Sequence, residues 1–266
     1  MGPLFSIITV VLNDPNGIRK TAESIQVQTE YSYEWIVVDG LSVDDTCEVI
    51  RKYQVQGRDT LVSERDSGVY HAMNKGLNAA SGEFVVFLNA GDRLYKSTVL
   101  ADVKEVISPT IDVIHGDVVF DTERVGYIVR HSVDSTDGIN RRVFASHQSV
   151  FIRRLVHLSH QFNTDFHYAA DYAVFSSLYM SGFHLHYLSE PLSITDINKS
   201  SLSVKNRYTM ARENYVIDRS ILKDSYLYSS LNYFQAFIKI TIVRILLILP
   251  GPLFRALPKK ITKKVY

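Results

Sequence analysis

The 266-residue chain predicts an α/β fold: a central, mostly parallel sheet flanked by helices, with a helical C-terminal extension. Short β-branched runs (FSIITVVL at 5–12, EWIVV at 34–38, EFVVFL at 83–88) alternate with helical patterns. Each run is apolar at both alternating positions, as a strand covered on both faces requires. Polar, acid-bearing loops follow the runs after Val11, at Asp39 and at Asn89 to Asp92. In a parallel α/β sheet, ligands bind outside the carboxyl ends of the strands, where these loops begin.

Asn13 to Gly17 has turn chemistry, and residues 17–28 read as a helix burying Ile18, Ala22 and Ile25. The second strand stops at Asp39-Gly40. Ser42, Asp44 and Asp45 then lead into a helix through Cys47, Val49, Ile50 and Tyr53, the two aspartates suiting its positive N-terminal end. Leu61-Val62 opens a short strand, residues 70–80 a helix, and residues 83–88 a strand ending at Asn89-Ala90-Gly91-Asp92. Further on, 111–120 and 125–130 read as strands, 169–180 as a helix stopped by Gly182, and 183–188 as a strand closed by Glu190-Pro191. Residues 208–223 form a polar amphipathic helix. An apolar helix over 232–249 is broken by Pro250-Gly251-Pro252. The expected division is a catalytic domain over 1–205 and an extension over 206–266.

Composition narrows the function. A content of 46% hydrophobic and 11% aromatic residues excludes disorder, and a single cysteine, Cys47, excludes an internal disulfide framework and fits a reducing compartment. The N-terminus lacks a basic region before its first strand, so no signal peptide is read. The net charge of +1 is unevenly spread: residues 1–224 hold 22 basic against 28 acidic residues, net −6, and no acidic residue follows Asp224. A mildly acidic body argues against nucleic-acid binding. Neither a Gly-x-Gly-x-x-Gly turn nor a Gly-Lys-Ser/Thr loop is present, which counts against dinucleotide and P-loop enzymes.

FSIITVVLN, EWIVVDGLSVDDT, SERDSGVYHAMNKGLNAASGEFVVFLNAGD and HQSVFIRR, in this order and spacing, resemble family 2 glycosyltransferases with the Rossmann-like GT-A fold. More narrowly they resemble bacterial enzymes of exopolysaccharide and O-antigen synthesis, over about residues 4–200. The resemblance implies inverting transfer of a sugar from a nucleoside diphosphate to an acceptor hydroxyl, assisted by Mn²⁺ or Mg²⁺. It places Thr9 and Asp39 at the base or ribose; by residue type alone Asp39 is equally a turn residue before glycine. Gly40 stands where the family commonly has a second aspartate. Arg65, Asp66 and Lys75 are implied contacts to donor sugar and diphosphate, although Met73 replaces an arginine found in many relatives. Asn89 and Gly91 replace two carboxylates of the usual metal motif, leaving Asn89 as a donor contact and Asp92 as the metal ligand. Asp171 matches the catalytic base, with nearby Asp165 in a turn context, and His147 with Gln148 line the acceptor side. His115, His184 and His186 read as structural.

Lys239, Arg244, Arg255, Lys259, Lys260, Lys263 and Lys264 give the apolar tail seven positive charges. Phe234 to Leu249 makes about 24 Å of helix, short of the ~30 Å hydrocarbon core. The expectation is an interfacial helix on the cytoplasmic face of the membrane, each tail lysine near an anionic leaflet adding roughly 1 kcal/mol. Packing on the catalytic domain or between subunits is the alternative. A membrane foot suits a saccharide acceptor on a polyprenyl diphosphate lipid. Residues 198–203, NKSSLS, read equally as a loop closing on the donor or as a linker. Two other functions fit the same pattern: a nucleotidyltransferase, or a non-catalytic nucleotide-sugar-binding subunit of an assembly complex.

Overall fold

The computed structural model describes residues 2–122, 126–132, 145–197, 206–223 and 230–238. The loop at 198–203 and the tail beyond 238 lie outside them. The first half follows the alternation read from sequence: β1 (Phe5–Val11), α1 (Pro15–Gln26), β2 (Tyr33–Asp39), α2 (Thr46–Tyr53), β3 (Thr60–Ser63), α3 (Val69–Ala79) and β4 (Phe84–Phe87). α1 begins two residues before the expected Gly17. Pro15 suits the first helical turn, and Asp14 Oδ1 accepts from the Gly17 N–H at 2.8 Å.

Then come β5 (Arg93–Leu94), α4 (Val99–Val106), β6 (Val113–Thr122), β7 (Gly126–Arg130), β8 (Val150–Arg153), α5 (Arg154–Ser159), α6 (Ala170–Met180), β9 (Leu185–Ile197) and α7 (Arg207–Ser220). One expectation changes. Pro191 does not close the last strand: β9 continues through it, because the proline sits at a register shift opposite Gly116 and Asp117, where the missing donor is tolerated. The sheet is mixed. β1, β2, β3 and β4 pair in parallel, as do β6 and β9, but β4–β8, β6–β8, β6–β7 and β5–β9 are antiparallel. The nine strands run β3-β2-β1-β4-β8-β6-β9-β5, with β7 paired to β6.

The core divides across this sheet by the two-residue period of the strands. Phe5, Ile7, Trp35, Val37, Phe84 and Val86 pack against Ile18, Ala22, Ile25 and Val49 of α1 and α2. Ile8, Val10, Ile36, Val38, Val85 and Phe87 face Met73 and Leu77 of α3 and Val174 and Leu178 of α6. At the amino end of the sheet, buried Glu34 Oε1 accepts from Ser6 Oγ (2.6 Å), Ser81 N (2.7 Å) and Gly82 N (3.1 Å). That leaves the carboxyl end to carry the open site. α7 docks on α6 through Ile217 and Leu222 against Ala169, Tyr172 and Ala173, and Tyr172 donates to Asp218 at 2.6 Å. Residues 230–238 are helical, with Tyr208–Phe237 and Tyr215–Tyr233 ring contacts to α7.

Candidate active site

The carboxyl ends of β2, β3 and β4, the turn before β8 and the first turn of α6 bring two groups of side chains together. The first is centred on Asp39, the last residue of β2, which is fully buried. Its Oδ2 accepts from Ser63 Oγ at 2.7 Å and from the Cys47 thiol at 3.3 Å, while the Ser42 N–H lies 3.1–3.2 Å from both oxygens. Burial works against the charge, but these donors outweigh it and hold Asp39 below the ordinary carboxylate range. Asn13 and Ser42 stitch the neighbouring loops: Asn13 N donates to Ser42 Oγ (2.8 Å), and Val43 N to Asn13 Oδ1 (2.9 Å). Leu41 is thereby held at φ +66°, a left-handed geometry rare for a branched side chain. Asp44, by contrast, accepts from the Thr46 N–H at 3.0 Å and serves the start of α2.

Gly40 acquires a reason here. A Cβ at that position would lie 2.9 Å from Asp66 Oδ2, so the Asp66 carboxylate fills the space a side chain at 40 would need. Asp66 Oδ1 accepts from the Gly68 N–H (2.9 Å) and shapes the turn into α3. Lys75, about two helix turns further, reaches back to the Arg65 carbonyl at 2.5 Å and Glu64 at 2.9 Å, whereas the Arg65 side chain is exposed. Thr9 does not join the group. It is fully buried, and its hydroxyl accepts from the Trp35 indole N–H at 2.9 Å, so it presents no surface to a ligand.

The second group runs as a chain of contacts. Asp171, on the first turn of α6, accepts through Oδ1 from the Tyr70 hydroxyl (3.2 Å) and the Tyr172 N–H (2.8 Å). Its Oδ2 lies 3.2 Å from His147 Nδ1. His147 Nε2 is 3.4 Å from Asn89 Nδ2, and the Asn89 N–H donates to Asp92 Oδ2 at 3.2 Å. The four expected residues Asn89, Asp92, His147 and Asp171 are thus contiguous, and Gln148 adjoins Asp92 and favours its charged form. His147 is a bridge between two carboxylates rather than a wall of the acceptor side alone. Asp165 stays in its turn, its N–H on Asn163 Oδ1.

The electrostatics of the two carboxylates diverge. Burial pushes Asp92 up to about 6, against the opposing effect of His147, Gln148 and Thr195. Burial acts the same way on Asp171, but His147, the Tyr172 N–H and the Tyr70 hydroxyl outweigh it, and Asp171 lies below its ordinary value. Burial alone would lower His147; Asp171 and Asp92 reverse that and raise it. Asp171 is therefore an anion at neutral pH, while Asp92 is a desolvated carboxylate short of positive charge.

That shortage fits a cation. Asn89 Oδ1 is buried without a hydrogen-bond partner beside Asp92, so two hard oxygen donors stand together, the chemistry that Mg²⁺ or Mn²⁺ takes. Among the described residues no cluster of three or more His, Cys, Asp or Glu could hold a metal, so further ligands would come from substrate and water.

Sequence reading missed Tyr70, Ser63 and Thr195. Tyr70 lies within the SGVYHAMNKG stretch that was singled out, at the start of the helix that also carries Lys75. Thr195 of β9 favours the charged form of Asp92, although its buried hydroxyl makes no hydrogen bond, and nothing local in the sequence marks it. His115 is a structural histidine as expected, with Nδ1 2.7 Å from Ser132 Oγ and its ring stacked on Tyr187.

The model of Glycosyl transferase family 2 matches residues 6–174. A PGL/p-HBAD biosynthesis glycosyltransferase of Mycobacterium bovis is 29% identical over 228 residues, 83% of each chain. Glycosyltransferase AglE of Haloferax volcanii is 25% identical over 161 residues, 57% of this chain and 53% of that protein. Among solved structures, the mannosyltransferase PcManGT from Pyrobaculum calidifontis, in complex with GDP-Man and Mn²⁺, superimposes with a TM-score of 0.63 at 20% identity, covering 90% of this chain and 71% of its own. S. aureus TarS 1-349 in complex with UDP-GlcNAc gives a TM-score of 0.65 at 17% identity, covering 89% and 72%. The chain belongs to glycosyl transferase family 2, as a glycosyltransferase of the GT-A fold.

Proposed function

We propose that the protein transfers a sugar, with inversion, from a nucleoside-diphosphate sugar to a hydroxyl of a saccharide acceptor. The observation that carries this reading is the chain Tyr70–Asp171–His147–Asn89–Asp92, which sets an ionised carboxylate at one end and a cation-seeking carboxylate at the other. The GDP-Man and UDP-GlcNAc complexes of two structural neighbours support the donor class, and the Mn²⁺ of one supports a divalent ion.

Asp39 receives the base and ribose once the donor displaces the Ser63 and Cys47 contacts that cover its carboxylate, Asp66 stands beside it, and Lys75 and Arg65 stand next to the diphosphate. Asp92 and the Asn89 amide oxygen would hold the cation, Mn²⁺ or Mg²⁺, which supplies charge neutralisation to the departing diphosphate. Asp171 takes the proton from the acceptor hydroxyl. As the acceptor oxygen bonds to the anomeric carbon, the carbon–oxygen bond to the diphosphate breaks and its electron pair leaves with the phosphate. Attack opposite the leaving group inverts the anomeric carbon. Tyr70 and His147 keep the Asp171 carboxylate aimed, and their donors hold it ionised until the proton arrives.

The acceptor in this reading sits on a lipid at the cytoplasmic membrane face. No helix among the described residues is long and apolar enough to cross a membrane. Leu231, Phe234 and Ile238, spaced along one side of the helix at 230–238, are 51%, 59% and 40% exposed, and they lead into the basic, apolar tail. An amphipathic foot of this composition suits an anionic lipid surface. Liposome flotation of the full chain against a form ending at Lys223 tests it; equal binding would overturn the membrane assignment.

Product analysis across a panel of nucleotide sugars tests the reaction. Release of nucleoside diphosphate and an inverted anomer in the product are expected. Release of pyrophosphate would make the protein a nucleotidyltransferase, and nucleotide binding without turnover a binding subunit.

A further inference from the structure

α6 carries Asp171 on its first turn, yet it begins without a cap of its own: the residue before it is Ala169, whose side chain holds no acceptor. The amides just ahead of it are bound from another element instead. Glu213 of α7 accepts the His167 N–H through Oε1 and the Tyr168 N–H through Oε2, each at 2.9 Å. One carboxylate thus clamps two successive amides, with charge-assisted bonds that are stronger than neutral ones. On the other side of Asp171, the Tyr172 hydroxyl donates to Asp218 of α7 at 2.6 Å.

α7 therefore brackets Asp171 along the chain, gripping Tyr168 before it and Tyr172 after it. Ala169, Tyr172 and Ala173, at i, i+3 and i+4, form the face of α6 that packs on Ile217 and Leu222. The Asp171 carboxylate is engaged elsewhere, 3.2 Å from the Tyr70 hydroxyl and 3.2 Å from His147 Nδ1. Both contacts lie at or beyond the long end of the usual hydrogen-bond range, so a small shift at the start of α6 breaks them.

We propose that Glu213 is a positioning residue for the proton acceptor, holding the start of α6 so that Asp171 meets both Tyr70 and His147. This rests on the reading of Asp171 as the base. It makes α7 part of the catalytic unit and gives the extension that begins at residue 206 a role in the transfer step itself.

The test is a double-variant cycle on the full chain: wild type, Glu213→Ala, Asp171→Asn and the two combined. The readout is nucleoside diphosphate release with Mn²⁺ across a panel of nucleotide sugars, with water or free monosaccharides as acceptor, at protein concentrations high enough to read the Asp171→Asn residual. Titration with the nucleoside diphosphate of the donor that wild type turns over gives affinity and sites per chain, so an unfolded fraction shows as lost sites. Glu213→Ala should lower kcat at least about tenfold with affinity and site number unchanged, because a misplaced reacting group costs up to about 10²-fold. In the Asp171→Asn background it should cost less than about twofold, since a residue that acts through the base then has nothing to position. Glu213→Gln keeps one amide oxygen for the two N–H groups and should recover part of the rate. A smaller loss in Glu213→Ala, or a loss that persists in the Asp171→Asn background, would overturn the positioning role. Should Glu213→Ala fail to fold, the cycle run with Glu213→Gln decides on the same grounds, with a loss of at least about threefold expected. A loss below about tenfold in Asp171→Asn, or a wild type that turns over no donor, removes the base reading first and the positioning role with it.

Discussion

Replacing Asp171 with asparagine removes the proton acceptor while keeping its shape. The amide oxygen still accepts from the Tyr70 hydroxyl and the Tyr172 N–H, which now lie at 3.2 and 2.8 Å. The amide nitrogen takes the place of the oxygen 3.2 Å from His147 Nδ1, so the imidazole must present a lone pair there and carry its proton on Nε2, which faces the Asn89 Nδ2 donor and is met only when that amide turns its oxygen toward the ring. The local network re-sorts and the fold survives. What is lost is general-base catalysis, roughly 10²–10⁴-fold in rate, or about 3–5 kcal/mol of barrier at ~1.4 kcal/mol per tenfold. The assay is the initial rate of nucleoside diphosphate release at saturating donor and acceptor, with donor affinity measured separately by titration. The rate should fall by that factor with donor affinity unchanged. A loss smaller than about tenfold would refute the assignment of Asp171 as the base.

Other outcomes follow from the same structure. The Asp92 carboxylate, pushed up to about 6, holds its proton longer than an ordinary aspartate, so a proton competes with the cation; Mn²⁺ affinity should fall about tenfold per pH unit below 6, and a flat profile down to pH 5 would contradict this. His157, buried against Phe87 and Phe162, is pulled down to about 4 by burial, so the unfolded chain takes up its proton first on acidification. Stability tied to His157 is therefore complete above its unfolded value of 6.5 and falls between there and about pH 4, by about 3 kcal/mol. Urea midpoints of wild type and His157→Leu across this window isolate that contribution, because Asp92 titrates in both proteins and cancels; parallel profiles would contradict it. Gly76→Ala would place a Cβ 2.4 Å from Ile8 Cγ2, where α3 presses on β1, and should cost about 1–3 kcal/mol by overpacking. An unchanged urea midpoint would show that α3 is not so closely seated.

The parallel half of the fold was legible because its strands are buried on both faces and its helices carry one apolar side, so period alone separates them. The later half was less so. β9 runs through Pro191 because a register shift on β6 absorbs the proline, a tertiary accommodation that a local reading takes for a stop. α5, at six residues, is too short to register a helical period. In the site, Asp39, Asn89 and Asp92 were accessible because strand ends mark them, whereas Asp171 was accessible only through the family resemblance. Thr9 was misleading: its hydroxyl points into the layer occupied by Trp35 and is consumed there. Thr195 comes near Asp92 from β9, through a pairing with β6 that no sequence window contains.

The central claim is that one cleft holds a cation and diphosphate at Asp92 and a proton acceptor at Asp171, joined through His147. The most direct test is a crystal of the full chain grown with Mn²⁺ and a nucleoside diphosphate, measured for anomalous scattering. An anomalous peak bonded to the Asp92 carboxylate and to diphosphate oxygens is expected, with Asp171 on the opposite side of the vacant sugar position. A peak bonded elsewhere, or a diphosphate lying against Asp171, would contradict it.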